Sequence, residues 1–388
     1  MSEPARAGAS AAWIVAGEAA AGFSVWGLSP AERLRRALAA AGCDDVRVLD
    51  AAQPAPTASA RPAVLLRADW IYDDRLVAAL LAAENDVLLV ADDATPVAAR
   101  CAPAAFSESL AALRSGSTPA GLPARRAAQV ATAYSAKLRK TDPPYLLPAL
   151  CESIPAIEAR TFSASYKGAT DLVTKWVWPI PARWVTRHLA QAQTHPNTVT
   201  LVSWLLAIAA FWAFGTGAYG WGLTAAWGMT FLDTVDGKLA RVTLTSSRLG
   251  DMLDHGLDLV HPPFWWWAWG AGMGWGSHPA TWIVIGGYFV GRALEGAFLA
   301  GFGFETHSWR PIDTLFRTIT ARRNPNLIFF MVAAAGGRPD LGMLLVAAWT
   351  LASLAFHSLR LAQAGLARSR GDRVEPWDND TPRPARDE

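Results

Sequence analysis

Four aspartates between Phe231 and Val260 have the type and spacing to do chemistry together. Asp233 and Asp236 stand at i,i+3 and Asp254 and Asp258 at i,i+4, so on two helices each pair projects from one face. Brought side by side, such helices converge four carboxylates on one point. The flanking sequence is apolar and rich in Trp. That places the acids at the edge of a membrane or deep in a core, and a carboxylate at a bilayer centre costs roughly 2.5–3.5 kcal/mol. The cluster therefore needs compensating cations. Oxygen-only ligands suit hard divalent ions such as Mg2+, Mn2+ or Ca2+, whereas zinc usually brings His or Cys.

Gly237 and Ala240 fall on the same side as Asp233 and Asp236, so the acidic face also lacks bulk and can lie against a flat group or a backbone. Arg241 follows with a fork suited to phosphate, and Gly250 opens the second helix. The full spacing is D-x-x-D-G-x-x-A-R, eight residues, then G-x-x-x-D-x-x-x-D. It resembles the signature of the CDP-alcohol phosphotransferase (CDP-alcohol phosphatidyltransferase) family of integral membrane enzymes, with every fixed position met. The resemblance implies transfer of a substituted phosphate from a CDP-linked donor to an alcohol, releasing CMP. It implies that Asp233, Asp236 and Asp254 hold two divalent ions, Mg2+ or Mn2+, on the donor's pyrophosphate and that Asp258 is the general base on the acceptor hydroxyl. Gly237, Ala240, Arg241 and Gly250 are then substrate-binding positions. Asn197 joins them, because the P-N-x-x-T run at Pro196 to Thr200 also recurs in the family.

The elements that must position these residues are apolar stretches. Six are expected, near Asn197 to Phe214, Tyr219 to Arg241, Gly250 to Gly272, Ala280 to Gly301, Asn326 to Ala335 and Leu341 to Leu361. The second carries acids and the fifth is short, as befits helices lining a polar cavity. Before them, Lys167, Lys175, Arg183 and Arg187 interleave with Trp176, Trp178 and Trp184, which describes an interfacial helix on an anionic leaflet. Lys and Arg gather on alternate loops, so the positive-inside rule puts both termini and the acidic cluster on the cytoplasmic side.

Arg292 and Glu295 sit inside the fourth stretch, where they suit either a structural ion pair or an acceptor pocket. Arg322 and Arg323 precede the fifth stretch; they could grip a phosphate on the acceptor or simply satisfy the positive-inside rule. The excess of Arg here, including Arg310 and Arg317, favours a phosphorylated polyol such as inositol phosphate or glycerol phosphate as acceptor. Trp265, Trp266, Trp267 and Trp269 read as an interface belt or packing surface. Gly287 and Gly291 could pack another helix or a second protomer, giving a homodimer.

Upstream, Ala12 to Val15, Val46 to Leu49, Ala63 to Arg67 and the run DVLLVA read as strands, and Ser29 to Ala41 and Asp73 to Ala83 as helices. Their alternation implies a parallel sheet in an α/β sandwich. The order resembles a sugar-nucleotidyltransferase-type domain, but the loop after the first strand, GEAAAGFSVWGLS, has no Lys or Arg for a triphosphate. The domain is therefore read as catalytically degenerate, with Asp69 an Asp that ends a strand or a match to that family's metal-binding aspartate. Residues Thr118 to Arg160 are Ala-rich and expected to be largely helical. The net charge of +2, with no basic stripe with interleaved aromatics in the first 150 or so residues, points away from nucleic acid, and Cys43, Cys101 and Cys151 have no metal spacing. The N-terminal apolar stretch is too short and interrupted for a secretory signal.

The expected architecture is multidomain. A cytosolic α/β sandwich (1–155, with a helical linker) and an amphipathic interfacial helix (156–195) precede a membrane bundle of six transmembrane helices (196–365) and a disordered tail (366–388). The expected function is phospholipid synthesis from a CDP-linked lipid donor, with CDP-diacylglycerol foremost, in a multi-pass integral membrane protein whose partners are its two substrates and membrane lipids. Two alternatives stand beside it: a soluble CDP-polyol donor with a polyol-phosphate acceptor, and a divalent-metal transporter. The paired inverted repeats common among transporters are not found.

Overall fold

A computed structural model of the protein describes residues 11–16, 23–49, 59–119, 121–135 and 137–377, with the side chains of 248, 249, 251, 253–255 and 257 outside the described set. The chain divides into two compact units. The first comprises 1–166, 190–193 and 241–245, and the second comprises 167–189, 194–240 and 246–388.

The first unit is built on strands β1 (Ala11–Val15), β2 (Val46–Leu49), β3 (Ala63–Arg67), β4 (Trp70–Tyr72), β5 (Val87–Val90), β6 (Pro96–Cys101) and β7 (Ala124–Arg125). Helices α1 (Pro30–Ala40), α2 (Asp74–Ala82) and α3 (Phe106–Ser115) accompany them. Six strands form one sheet in the order β2-β1-β3-β6-β5-β7. Alternate residues of each strand serve opposite faces. Ile14, Val64 and Leu66 pack with Leu34 and Leu38 of α1 and Leu76 and Leu80 of α2. Trp13, Val15, Leu65 and Leu88 pack with Phe106, Leu110 and Leu113 of α3 on the other side. The result is an α/β/α sandwich. Ser29 and Asp73 cap α1 and α2 by accepting from the backbone N–H groups of Glu32 and Arg75.

The sheet is not wholly parallel. Strand β6 runs antiparallel to both β3 and β5, while β1 pairs in parallel with β2 and β3. The cause is the short turn D-D-A-T-P between β5 and β6, where Ala91 N–H donates to Thr95 O at 2.9 Å. A parallel return needs a crossover of about a dozen residues or more.

Beyond β7 the largely helical expectation is not met. The chain forms α4 (Ala127–Val130), β8 (Tyr134–Ser135), β9 (Lys140–Thr141) and β10 (Leu146–Pro148) before α5 (Ile154–Ala164). Prolines 119, 123, 143, 144 and 148 override the helix propensity of the alanines. The Asp69 carboxylate is held by Arg67 in a bidentate pair at 2.5 and 2.9 Å. The loop after β1 falls partly outside the described residues.

Cys43 and Cys101 are buried and Cys151 is exposed. Burial pushes the Cys101 thiol up to about 11 and raises Cys43 as well. At pH 7 a maleimide should modify one thiol per folded chain, at Cys151, and all three in denaturant, as counted by intact mass. Native labelling of Cys101 would contradict this core.

The second unit is helical: α6 (Pro179–Gln191, whose last two residues group with the first unit), α7 (Pro196–Gly215), α8 (Tyr219–Val242), α9 (Arg248–Gly272), α10 (Pro279–Phe302), α11 (Pro311–Ile319), α12 (Arg323–Ala335) and α13 (Pro339–Ser369). Among the described residues three of these, α7, α10 and α13, are long and apolar enough to cross a membrane by length and composition. Helix α12, at 13 residues, spans about 20 Å against a hydrocarbon core of about 30 Å. Helix α6 exposes Ile180 and Trp184 beside Arg183 and Arg187.

Three of the four Trp in the run are packing residues, and Trp267 is exposed. Trp265, Trp266 and Trp269 are buried, and Trp265 Nε1 donates to Ala207 O of α7 at 2.8 Å, while Trp269 Nε1 donates to Pro339 O at 3.0 Å. Gly287 lets α10 meet α13, since a Cβ there would stand 2.2 Å from Thr350 Cγ2. Helix α11 is tied to α13 by Arg360, which grips buried Asp313 at 2.6 and 2.7 Å. After Ser369, Trp377 Nε1 donates to Thr314 Oγ1 at 2.9 Å; residues 378–388 lie outside the described set.

Candidate active site

Helix α7 begins at Pro196, capped by His195, whose Nδ1 accepts from Asn197 N–H. One turn on, Thr200 Oγ1 donates to Asp236 Oδ2 at 2.6 Å, fixing a carboxylate that is 3% exposed. The i,i+3 spacing on α8 places Asp233 on the same side, with its side chain largely buried. Gly237 and Ala240 follow on α8, both half-buried. Arg241 lies in the short stretch that groups with the first unit.

Helix α9 starts with Ser247 accepting from Gly250 N–H at 3.0 Å. Gly250 is closely approached, since a Cβ would stand 3.0 Å from Asn197 Oδ1 and 3.2 Å from Ser247 Oγ. The backbone carries Asp254 and Asp258 one turn apart on this helix. The side chain of Asp254 is outside the described residues. That of Asp258 is 55% exposed.

Arg323, at the first turn of α12, brings two of the helices together. Its Nη2 donates to Asp233 Oδ2 at 2.6 Å and its Nη1 to Asp258 Oδ1 at 2.7 Å. A cation thus already stands between a carboxylate of α8 and one of α9. Asp233 and Asp236 offer oxygen donors alone, a chemistry that suits hard divalent ions; among the described residues no group of three or more His, Cys, Asp or Glu is gathered closely enough to hold a metal ion.

Beside Asp258 lies a cavity of 160 Å³ lined by Asp171, Pro262, Tyr288, Arg292, Arg317, Arg322, Arg323, Asn324 and Pro325. Arg322 donates to both oxygens of Glu295 at 2.5 Å, and Arg292 pairs with the same Glu295 at 3.1 Å. The buried Nε of Arg322 has no acceptor among the described residues. Arg317, half-buried on α11, makes no ion pair or side-chain hydrogen bond among the described residues. Burial, and then the charge of Arg322, push its guanidinium below the usual arginine range, so an anion here would be welcome. Arg310 stands apart from the cavity, stacked on Trp309 at 4.7 Å.

The family model described as CDP-alcohol phosphatidyltransferase matches residues 193–321. Those residues are thus similar to a CDP-alcohol phosphatidyltransferase domain. A comparison with curated proteins found no match. Members of the CDP-alcohol phosphatidyltransferase family are phosphotransferases, generally dependent on divalent metal, that pass a phosphate group from a CDP-alcohol to an alcohol. The match includes α7 to α11 and stops before α12, so Arg322, Arg323 and Asn324 lie just outside it.

Three cavity residues carried no signal strong enough to single out in the sequence. Asp171 accepts from Asn324 Nδ2 at 3.0 Å and from Val173 and Thr174 N–H, capping the turn Val173–Val177. Its D-x-x-T spacing was the available clue. Asn324 is buried with Oδ1 unpaired. Tyr288 lies between the glycines that mark helix packing.

Proposed function

We propose that the protein is a membrane-embedded enzyme of phospholipid synthesis that uses CDP-diacylglycerol as donor and a phosphorylated polyol, such as inositol phosphate or glycerol phosphate, as acceptor. The observation that carries this reading is the cavity beside Asp258, where Arg292 and Arg322 share one partner, Glu295, and Arg317 has no ion pair among the described residues. A phosphomonoester carries nearly two charges near neutral pH and accepts bidentate bonds from guanidinium groups, whereas a bare hydroxyl needs neither.

In the proposed mechanism the acceptor phosphate rests against these arginines and presents its alcohol to Asp258. The carboxylate takes the hydroxyl proton as the oxygen attacks the donor phosphorus that bears the diacylglycerol. The new P–O bond forms as the bond to CMP breaks. Asp233, Asp236 and Asp254 would hold Mg2+ or Mn2+, which supplies charge neutralisation of the diphosphate and of the leaving CMP. Arg323 keeps Asp233 and Asp258 at one point. Six helices, α7 to α10, α12 and α13, form the bundle, with the acidic cluster facing the cytoplasm where CDP-linked donors reside. The first unit is a degenerate nucleotidyltransferase-like domain.

The test is an acceptor panel with purified full-length protein and CDP-diacylglycerol, products identified by mass spectrometry. Phosphatidyl-polyol phosphate is expected, and product with serine alone would contradict the phosphorylated acceptor. One observation favours the soluble-donor alternative: a cavity of 550 Å³ at the carboxyl ends of β5 and β7, lined in part by Trp70, Asp92, Asp93 and Arg126. CTP-dependent release of pyrophosphate by the full chain would promote that reading.

A further inference from the structure

Helix α9 contains two consecutive prolines, Pro262 and Pro263. Neither has an N–H, so the carbonyls four residues before them lose their helical donors. Those carbonyls belong to Asp258 and Leu259. In a helix bundle read as membrane-embedded, such carbonyls must be satisfied by a neighbouring element. The neighbour is Tyr288 of α10, whose hydroxyl lies 3.2 Å from Asp258 O and 3.1 Å from Leu259 O.

We infer that Tyr288 is a positioning residue for the catalytic base: its hydroxyl takes over the two backbone bonds that Pro262 and Pro263 delete and so sets where α9 holds Asp258. This rests on the proposed role of Asp258. The side chain of Asp258 is more than half exposed and among the described residues it bonds to Arg323 alone, so its placement depends on the backbone beneath it. That backbone sits at a point where a helix otherwise kinks. One hydroxyl carries one proton, so it divides its donation between the two carbonyls. Tyr288 also borders the cavity, with the Arg292 guanidinium 5.9 Å from its ring, which places the device at the acceptor's position. The prolines free the helix from its own ladder at the base, and the tyrosine fixes it again from a second helix.

The experiment compares the full-length wild-type enzyme with Tyr288→Phe, with Pro262→Ala/Pro263→Ala, and with the triple variant, measuring CMP release at varied donor and acceptor. Tyr288→Phe should lower kcat by about tenfold with donor KM within about twofold, the mark of an interaction felt at the transition state. Alanines restore both amides, so the triple variant should match the double-proline variant within about threefold. A purely structural role for the ring would not be rescued in this way. Unchanged kcat in Tyr288→Phe, or a full additional loss in the triple variant, would overturn the inference. Should the proline variants fail to fold, Tyr288→Leu decides: the hydroxyl reading puts it level with Tyr288→Phe, whereas a normal Tyr288→Phe beside an impaired Tyr288→Leu overturns it. Asp258→Asn separates this claim from the one beneath it. An active Asp258→Asn overturns the base and the positioning role together; an inactive one beside an unimpaired Tyr288→Phe overturns the positioning role alone.

Discussion

Asp258→Asn should abolish turnover while divalent-metal and CDP-donor binding persist. Amide replaces carboxylate with little change of shape, so Arg323 keeps an acceptor at that position, yet the basic oxygen is gone. The expected loss in kcat is roughly 10²–10⁴-fold, the usual contribution of a positioned base. Asp233→Ala should behave differently, losing metal, because its carboxylate is largely buried and is a metal ligand in the proposed mechanism. Calorimetry of metal binding beside steady-state kinetics distinguishes the two. Near-normal turnover by Asp258→Asn would remove the base from the mechanism.

The second large effect concerns the acceptor. Arg317→Ala and Arg322→Ala should each depress kcat/KM for the phosphorylated acceptor by an order of magnitude or more, about 1.4 kcal/mol, with donor KM little changed. Arg317 is the sharper probe. It has no ion pair to lose, whereas removing Arg322 also strips Glu295 of a partner. Arg323→Ala belongs to another class, since it unties Asp233 from Asp258 and should lower kcat with every acceptor. If the arginines only satisfied the positive-inside rule, Arg317→Ala and Arg322→Ala would keep wild-type acceptor kinetics.

The placement of the aspartates in pairs on two helices was legible because their spacing is local. Residues three and four apart share a helix face whatever the tertiary context, so Asp233 with Asp236 could be read in advance. The convergence of α8 and α9 could not be read in that way, for it depends on Arg323, sixty-five residues beyond Asp258. Helix limits were close for the same local reason, as with α10 between Pro279 and the left-handed Gly303. Strand direction was harder. The antiparallel β6 follows from the brevity of D-D-A-T-P, a length signal that periodicity does not contain. Tyr288 illustrates the deepest limit: two prolines announce missing bonds, but only the packing of α10 on α9 shows which hydroxyl replaces them.

The most direct test of CMP-forming phosphotransfer is the stoichiometry of the purified full-length protein given CDP-diacylglycerol and a polyol phosphate. The prediction is that CMP appears one for one with phosphodiester product, only when acceptor and Mg2+ or Mn2+ are both present, and stops on chelation. Acceptor-independent CMP release, or metal flux into proteoliposomes with no CMP, would contradict it.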